Sequence, residues 1–117
     1  MAVSIDSEKV EALVEGLDAM LDHMNDSYRE WMKTDDPIKK RMCSEYHASL
    51  TYYMGKKYVK VVTNESVCAF VVACEDDKKF EFGDILKPAG WRAPARNFRR
   101  GNVLDRTFDR VRWTGAL

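Results

Sequence analysis

The sequence predicts an α+β fold, an N-terminal helical hairpin packed on a small, mainly antiparallel β-sheet or open barrel. Three observations carry this reading. Apolar residues recur at three-and-four spacing through the first half of the chain. After Gly55 the period changes to short β-branched runs. Turn-forming residues then punctuate the second half at short intervals. The 117 residues, 45% hydrophobic and 11% aromatic, suit one domain over residues 1–117 with a core of its own.

The first helix is expected from Ser7 to Lys33. Ser4, Asp6 and Ser7 are competent caps, and Glu8 sets a carboxylate near the positive helix end. Val10, Leu13, Val14, Leu17, Met20, Leu21, Met24, Tyr28 and Trp31 fall on one face, with Glu11, Glu15, Asp18, Asp22 and Asp26 opposite. A stripe this wide favours a globular core over a narrow coiled-coil seam. Val14, Leu17, Leu21, Met24, Tyr28 and Trp31 also fit a heptad register, through which two copies could pair as a homodimer. Gly16 costs about 1 kcal/mol relative to Ala in a helix, and marks either a close approach by another element or neutral variation.

Asp36 as N-cap and Pro37 at the first helical position open a second helix. Ile38, Met42, Tyr46, Leu50 and Tyr53 continue it, Gly55 ends it, and Lys56 and Lys57 sit at its negative end. Residues 1–55 thus read as a helical hairpin and 56–117 as a β-rich part. There, strands are expected over Tyr58–Thr63 and Val67–Cys74, the second apolar enough for burial on both faces. The charged turn 75–79 leads to a third strand over Phe80–Lys87, interrupted at Gly83-Asp84. Pro94 and Gly101 bracket a short helix, Pro94–Arg100, which would place Arg96, Arg99 and Arg100 on one face and lie across a sheet edge. Residues 102–105 read as a short strand or link, Val111–Thr114 as a final strand and 115–117 as a tail.

The residue inventory excludes much chemistry. Three unevenly spaced cysteines are not a disulfide framework and read as reduced thiols. The first residues lack the basic and apolar regions of a signal peptide, and no apolar run reaches membrane length. The expectation is a cytoplasmic protein with no membrane partner. Cys43 and His47 have ligand spacing on one helix face, but further ligands are wanting. Cys68 and Cys74 share a strand face yet lie about 20 Å apart at strand rise. A nucleophile built from Cys43, Glu45 and His47 fails because positions two apart on a helix do not face each other. There is no phosphate loop, dinucleotide fingerprint or nucleophile elbow. No metal, cofactor or catalytic residue is expected, and a binding protein is favoured over an enzyme.

Charge points to the C-terminal part. Residues 1–55 carry eleven acidic and six basic side chains, residues 56–117 eight and thirteen. Arg92, Arg96, Arg99, Arg100, Arg106, Arg110 and Arg112 are interleaved with Trp91, Phe98, Phe108 and Trp113. Arginines among aromatics suit phosphate contact and base stacking. They equally suit an acidic protein surface, or an attraction between the two halves of the chain itself. Trp91 and Trp113 are expected to anchor packing, leaving Arg92, Arg96, Arg99, Arg100 and Arg106 as the candidate binding surface. Asp84, Asn97 and Asn102 join them in an alternative reading, an enzyme or binder acting on a nucleotide or phosphorylated ligand, provided that the asparagines converge with arginines in a cleft rather than cap local turns.

Certain residues carry a resemblance as well. Gly83-Asp84-Ile85-Leu86-Lys87, Trp91 with Ala93-Pro94-Ala95 and Asn97, Arg100-Gly101-Asn102-Val103 with Asp105, and Val111-Arg112-Trp113-Thr114-Gly115 occur in this order. The pattern, over about residues 56–117, resembles that of small uncharacterised proteins encoded by tailed bacteriophages. The resemblance implies a viral origin and an accessory role, directed at a host or phage macromolecule in the bacterial cytoplasm. It brings no catalytic residues.

Overall fold

A computed structural model describes residues 7–32, 36–63 and 66–117. Helix α1 spans Ser7–Met32 and α2 Pro37–Ser49. A five-stranded antiparallel sheet follows in chain order: β1 (Thr51–Met54), β2 (Tyr58–Thr63), β3 (Ser66–Val72), β4 (Asp84–Leu86) and β5 (Gly101–Asn102). A two-stranded hairpin, β6 (Val111–Arg112) and β7 (Gly115–Ala116), ends the chain. The fold is α+β with an open sheet.

The predicted stripe of α1 is its buried face. Leu13, Leu17, Met20, Met24 and Tyr28 pack on Val59, Val61, Val71 and Ile85 of the sheet and on Val103, Val111 and Ala116. Of the heptad register, Leu17, Met24 and Tyr28 are therefore buried within the chain, whereas Trp31 is exposed. Gly16 is where another element does come close: a Cβ there would lie 2.7 Å from the Val103 carbonyl oxygen. Glu11, Glu15, Asp18, Asp22 and Asp26 face solvent on the far side. The end of α1 is fixed by aromatics. Tyr28 stacks on Tyr46 of α2 at 4.5 Å, Trp113 meets Tyr28 edge-on at 5.0 Å, and the Tyr46 hydroxyl donates to the Trp113 carbonyl.

Three expectations need correction. The second helix stops at Ser49 rather than near Gly55, and Thr51–Met54 is an edge strand. Thr51, Tyr52 and Tyr53 prefer a pleated surface, and pairing Thr51–Met54 with Val59–Val62 satisfies backbone groups that a longer helix would have to bond internally. Asp36 and Pro37 do open the helix: the Asp36 carboxylate accepts from the Ile38 amide at 2.9 Å. Second, Pro94–Arg100 is not helical. The Ala95 amide donates to Lys87 O, the Phe98 amide to the Asn97 side chain and the Arg100 amide to Ile85 O, which takes these three donors away from helical bonds. Ala93 is also biased away from the helical region by Pro94. Instead Pro88 bridges Pro94, and residues 87–95 form a hairpin-like loop with Gly90, Trp91 and Arg92 at its tip. Third, the last residues are no tail. Gly115 and Ala116 pair with Arg112 and Val111, and the close approach of Gly115 to Cys68 needs a residue without Cβ at φ 115°.

The sheet has two covered faces. The helix side holds the main core, and on the other side Phe70, Val72, Cys74, Phe80 and Leu86 form a second cluster beneath residues 75–96. A register shift between Val61 and Val62 leaves Cys68 as the extra residue of β3. Cys68 consequently packs in the helix-side core and Cys74 in the second cluster, not on one face as strand alternation alone predicts. The expected turn at 64–66 lies partly outside the described residues.

Candidate functional site

The seven arginines separate by what their guanidinium groups touch. Arg96 makes a bidentate pair with Asp77 at 2.9 Å on both arms, donates to the Tyr58 hydroxyl and lies 4.9 Å over the Phe80 ring. The Asp77 side chain, 1% exposed, also accepts the amides of Lys79 and Phe80. These bonds, the guanidinium's first, hold its carboxyl well below the usual carboxylate range, and Asp77 in turn raises the pKa of Arg96. Arg96 is thus a clip that fastens residues 87–98 over the sheet. Arg99 is tied likewise to the buried carboxylate of Asp84 at 3.0 Å. Neither is a free phosphate contact.

Asn102 is also consumed by structure. Its amide nitrogen donates to Phe82 O at 3.1 Å and to Asp84 Oδ1 at 2.9 Å, while its oxygen caps the Leu104 amide at 2.8 Å. Asn97 accepts from the Phe98 amide and from Arg100. Both asparagines serve local backbone and neighbouring side chains, which removes the geometric support for a nucleotide cleft built on them. Arg106 turns back, at φ 57°, to the Val103 carbonyl, and Arg112 bonds the carbonyls of Asp109 and Val111. Arg100 is buried, Arg96, Arg99 and Arg106 are exposed but held by the bonds just described, and Arg92 stands exposed at the loop tip.

Arg92 opens onto a groove that sequence reasoning missed. It occupies about 520 Å³ between the β1–β2 turn and the tip of the 87–95 loop. Lys56, Lys57, Lys60 and Arg92 supply four cations, and Tyr53, Tyr58, Phe70 and Trp91 the aromatic walls, with no carboxylate in the lining among the described residues. Of these four cations, Lys57 is the one that reaches toward an acid among the described residues, 3.9 Å from Asp77. Cross-strand pairing of Tyr53 with Lys60, and of Lys60 with Phe70, sets these side chains in a row across the sheet. The Lys60 ammonium sits 4.4 Å above the Trp91 ring. Trp91 is 50% exposed and Tyr53 60%, so both rings present open surface. The expectation that Trp91 is a packing anchor is therefore corrected, whereas Trp113 does pack, against Tyr28. The missed signal was Lys56, Lys57 and Lys60 flanking a turn glycine, obscured by reading Gly55 as a helix end.

Other chemistry finds little support. Cys43 and His47 line a cationic cleft with Arg29, Lys39 and Lys40 between the helices. Among the described residues no group of three or more metal-ligating side chains occurs. Burial pushes the Cys68 thiol up to about 12, which keeps it protonated and unreactive at neutral pH.

Fold and groove together define a class: a small α+β protein whose helix layer covers one face of an open antiparallel sheet and whose other face carries a basic, aromatic-walled groove. No helix among the described residues is long and apolar enough to cross a membrane. The chain belongs to the family of unknown function DUF7717, whose model matches residues 4–117 and so takes in the helices as well as the β-rich part. No curated protein and no solved structure matches the chain.

Proposed function

We propose that this is a non-enzymatic binding protein for single-stranded nucleic acid, which it holds in the groove between the β1–β2 turn and Trp91. The observation that supports this most is the combination of two open rings, Trp91 and Tyr53, with four cations and no acid in one concavity. Stacking on exposed rings tolerates any base, and the lysines and Arg92 contact phosphates. The arginine-rich segment contributes mainly by architecture, with Arg96 fixing the loop that carries Trp91 and Arg92. The resemblance of residues 56–117 to small tailed-phage proteins supports an accessory role of this kind in the cytoplasm of an infected bacterium.

Anisotropy of a labelled oligothymidine, titrated with protein at two salt concentrations, tests the reading. Affinity should fall with salt at a log–log slope of up to about −3, as four single-strand phosphate contacts require. Trp91→Ala should weaken binding about tenfold to a hundredfold. Absence of binding at low salt overturns the proposal.

A second reading rests on Arg106 and Arg112. Both are exposed, bond backbone carbonyls only among the described residues, and flank a depression with His23 and Asp109. Such a surface suits an acidic host or phage protein. A partner recovered from infected cells that is lost in an Arg106→Glu, Arg112→Glu double variant, yet kept in Trp91→Ala, would favour it.

A further inference from the structure

The chain holds a further cationic cluster, sharing no lining residue with the groove, where two guanidinium groups lie at one aromatic ring. Arg100 is 5% exposed. Its guanidinium carbon lies 3.9 Å from the centroid of Phe98, and that of Arg110 lies 5.5 Å from the same centroid. Phe98 itself is 47% exposed, so the ring reaches solvent.

What the two arginines lack is an acid. Arg100 donates to Asn97 Oδ1 and to the Phe98 carbonyl, both at 2.6 Å and both neutral. Its Nε is buried without a hydrogen-bond partner among the described residues. No carboxylate lies within ion-pair distance of Arg100 or Arg110 among those residues, whereas Arg96 and Arg99 each have one. A buried guanidinium with an idle N–H and a second cation beside it is costly to keep. Burial, reinforced by Arg110, accordingly pulls the pKa of Arg100 below the usual guanidinium value.

We propose that Arg100, Arg110 and the Phe98 ring form a binding site for a terminal phosphate group. Two uncompensated positive charges match a phosphomonoester, which carries about −1.5 to −2 at neutral pH, better than a carboxylate or a phosphodiester carrying a single charge. Guanidinium groups bind such an oxyanion through paired N–H donors, and the idle Nε of Arg100 supplies one of them.

The test is a titration with inorganic phosphate at constant ionic strength in chloride, followed by the arginine Nε–Hε resonances and by calorimetry. Phosphate should shift the Arg100 resonance saturably, and acetate should bind at least about tenfold more weakly. Arg100→Met should abolish the site. Arg110, being exposed, can be replaced without disturbing the core, and Arg110→Gln should weaken phosphate binding about tenfold. O-phosphoserine and adenosine monophosphate should each compete with phosphate, and the tighter of the two identifies the molecule that bears the group. No saturable shift, equal affinity for acetate, unchanged affinity in Arg110→Gln, or failure of both competitors overturns the assignment.

Discussion

At the scale of single residues, the charged side chains divide into those that hold the chain together and those that are open to a partner. Asp77 is the clearest of the first kind. Its folded-state pKa is depressed, so its contribution is complete above the unfolded value of about 3.9 and is lost as pH falls below that toward the folded value. Urea unfolding should show the wild type losing stability as pH drops below about 4, with Asp77→Asn lower by about 2 kcal/mol at neutral pH and lacking that component of the acid-side decline. Gly16→Ala should destabilise by about 1–3 kcal/mol in the same assay despite alanine's better helix propensity, because the new methyl meets the Val103 carbonyl. The composition of residues 80–117 shows that arginines matter there, and of the two readings of Gly16 the close approach is the one that holds. Which arginine is spent on Asp77 or Asp84 is not legible in sequence, since those pairs span 19 and 15 residues and depend on where two loops meet.

At the scale of elements, α1 can be read from its periodicity, and β2 and β3 from runs of β-branched and apolar residues of strand length. Short pieces with their backbone bonds outside themselves cannot. Thr51–Met54 carries apolar residues at positions that also suit the helix before it, and only pairing with β2 decides the matter. Residues 94–100 have Pro and Gly where a helix would want them, yet their amides serve a neighbouring strand and side chains. The groove escaped sequence reasoning for the same reason, because its walls come from two turns that meet only in the folded sheet. The loop tip can accordingly be separated from the scaffold. Replacing Trp91 and Arg92 with glycine beside Gly90, which has open space around it, should leave the melting temperature within about 3 °C and remove most oligonucleotide affinity. Asp77→Asn should weaken both, because it loosens the clip that places the tip.

For the molecule as a whole, a net charge of zero conceals opposite faces. The exposed carboxylates of α1 lie on the helix layer and the lysines of the groove on the other side of the sheet. Among the described residues Lys9 pairs with Glu75 across the two parts of the chain, with the signs reversed from the expected attraction, and the acidic helix does not cover the basic groove. Association with a nucleic acid should therefore be oriented from first encounter, and its rate should fall as ionic strength rises from about 0.01 to 0.15 M, where screening shortens from roughly 30 to 8 Å. Stopped-flow mixing at several salt concentrations measures this directly. The helix layer has one more consequence. Every copy seated on a strand by its groove would turn Glu11, Glu15, Asp18, Asp22 and Asp26 outward. A strand coated this way would exchange a skin of phosphates for a skin of carboxylates, so it would still migrate toward the anode and would repel the next strand much as naked nucleic acid does.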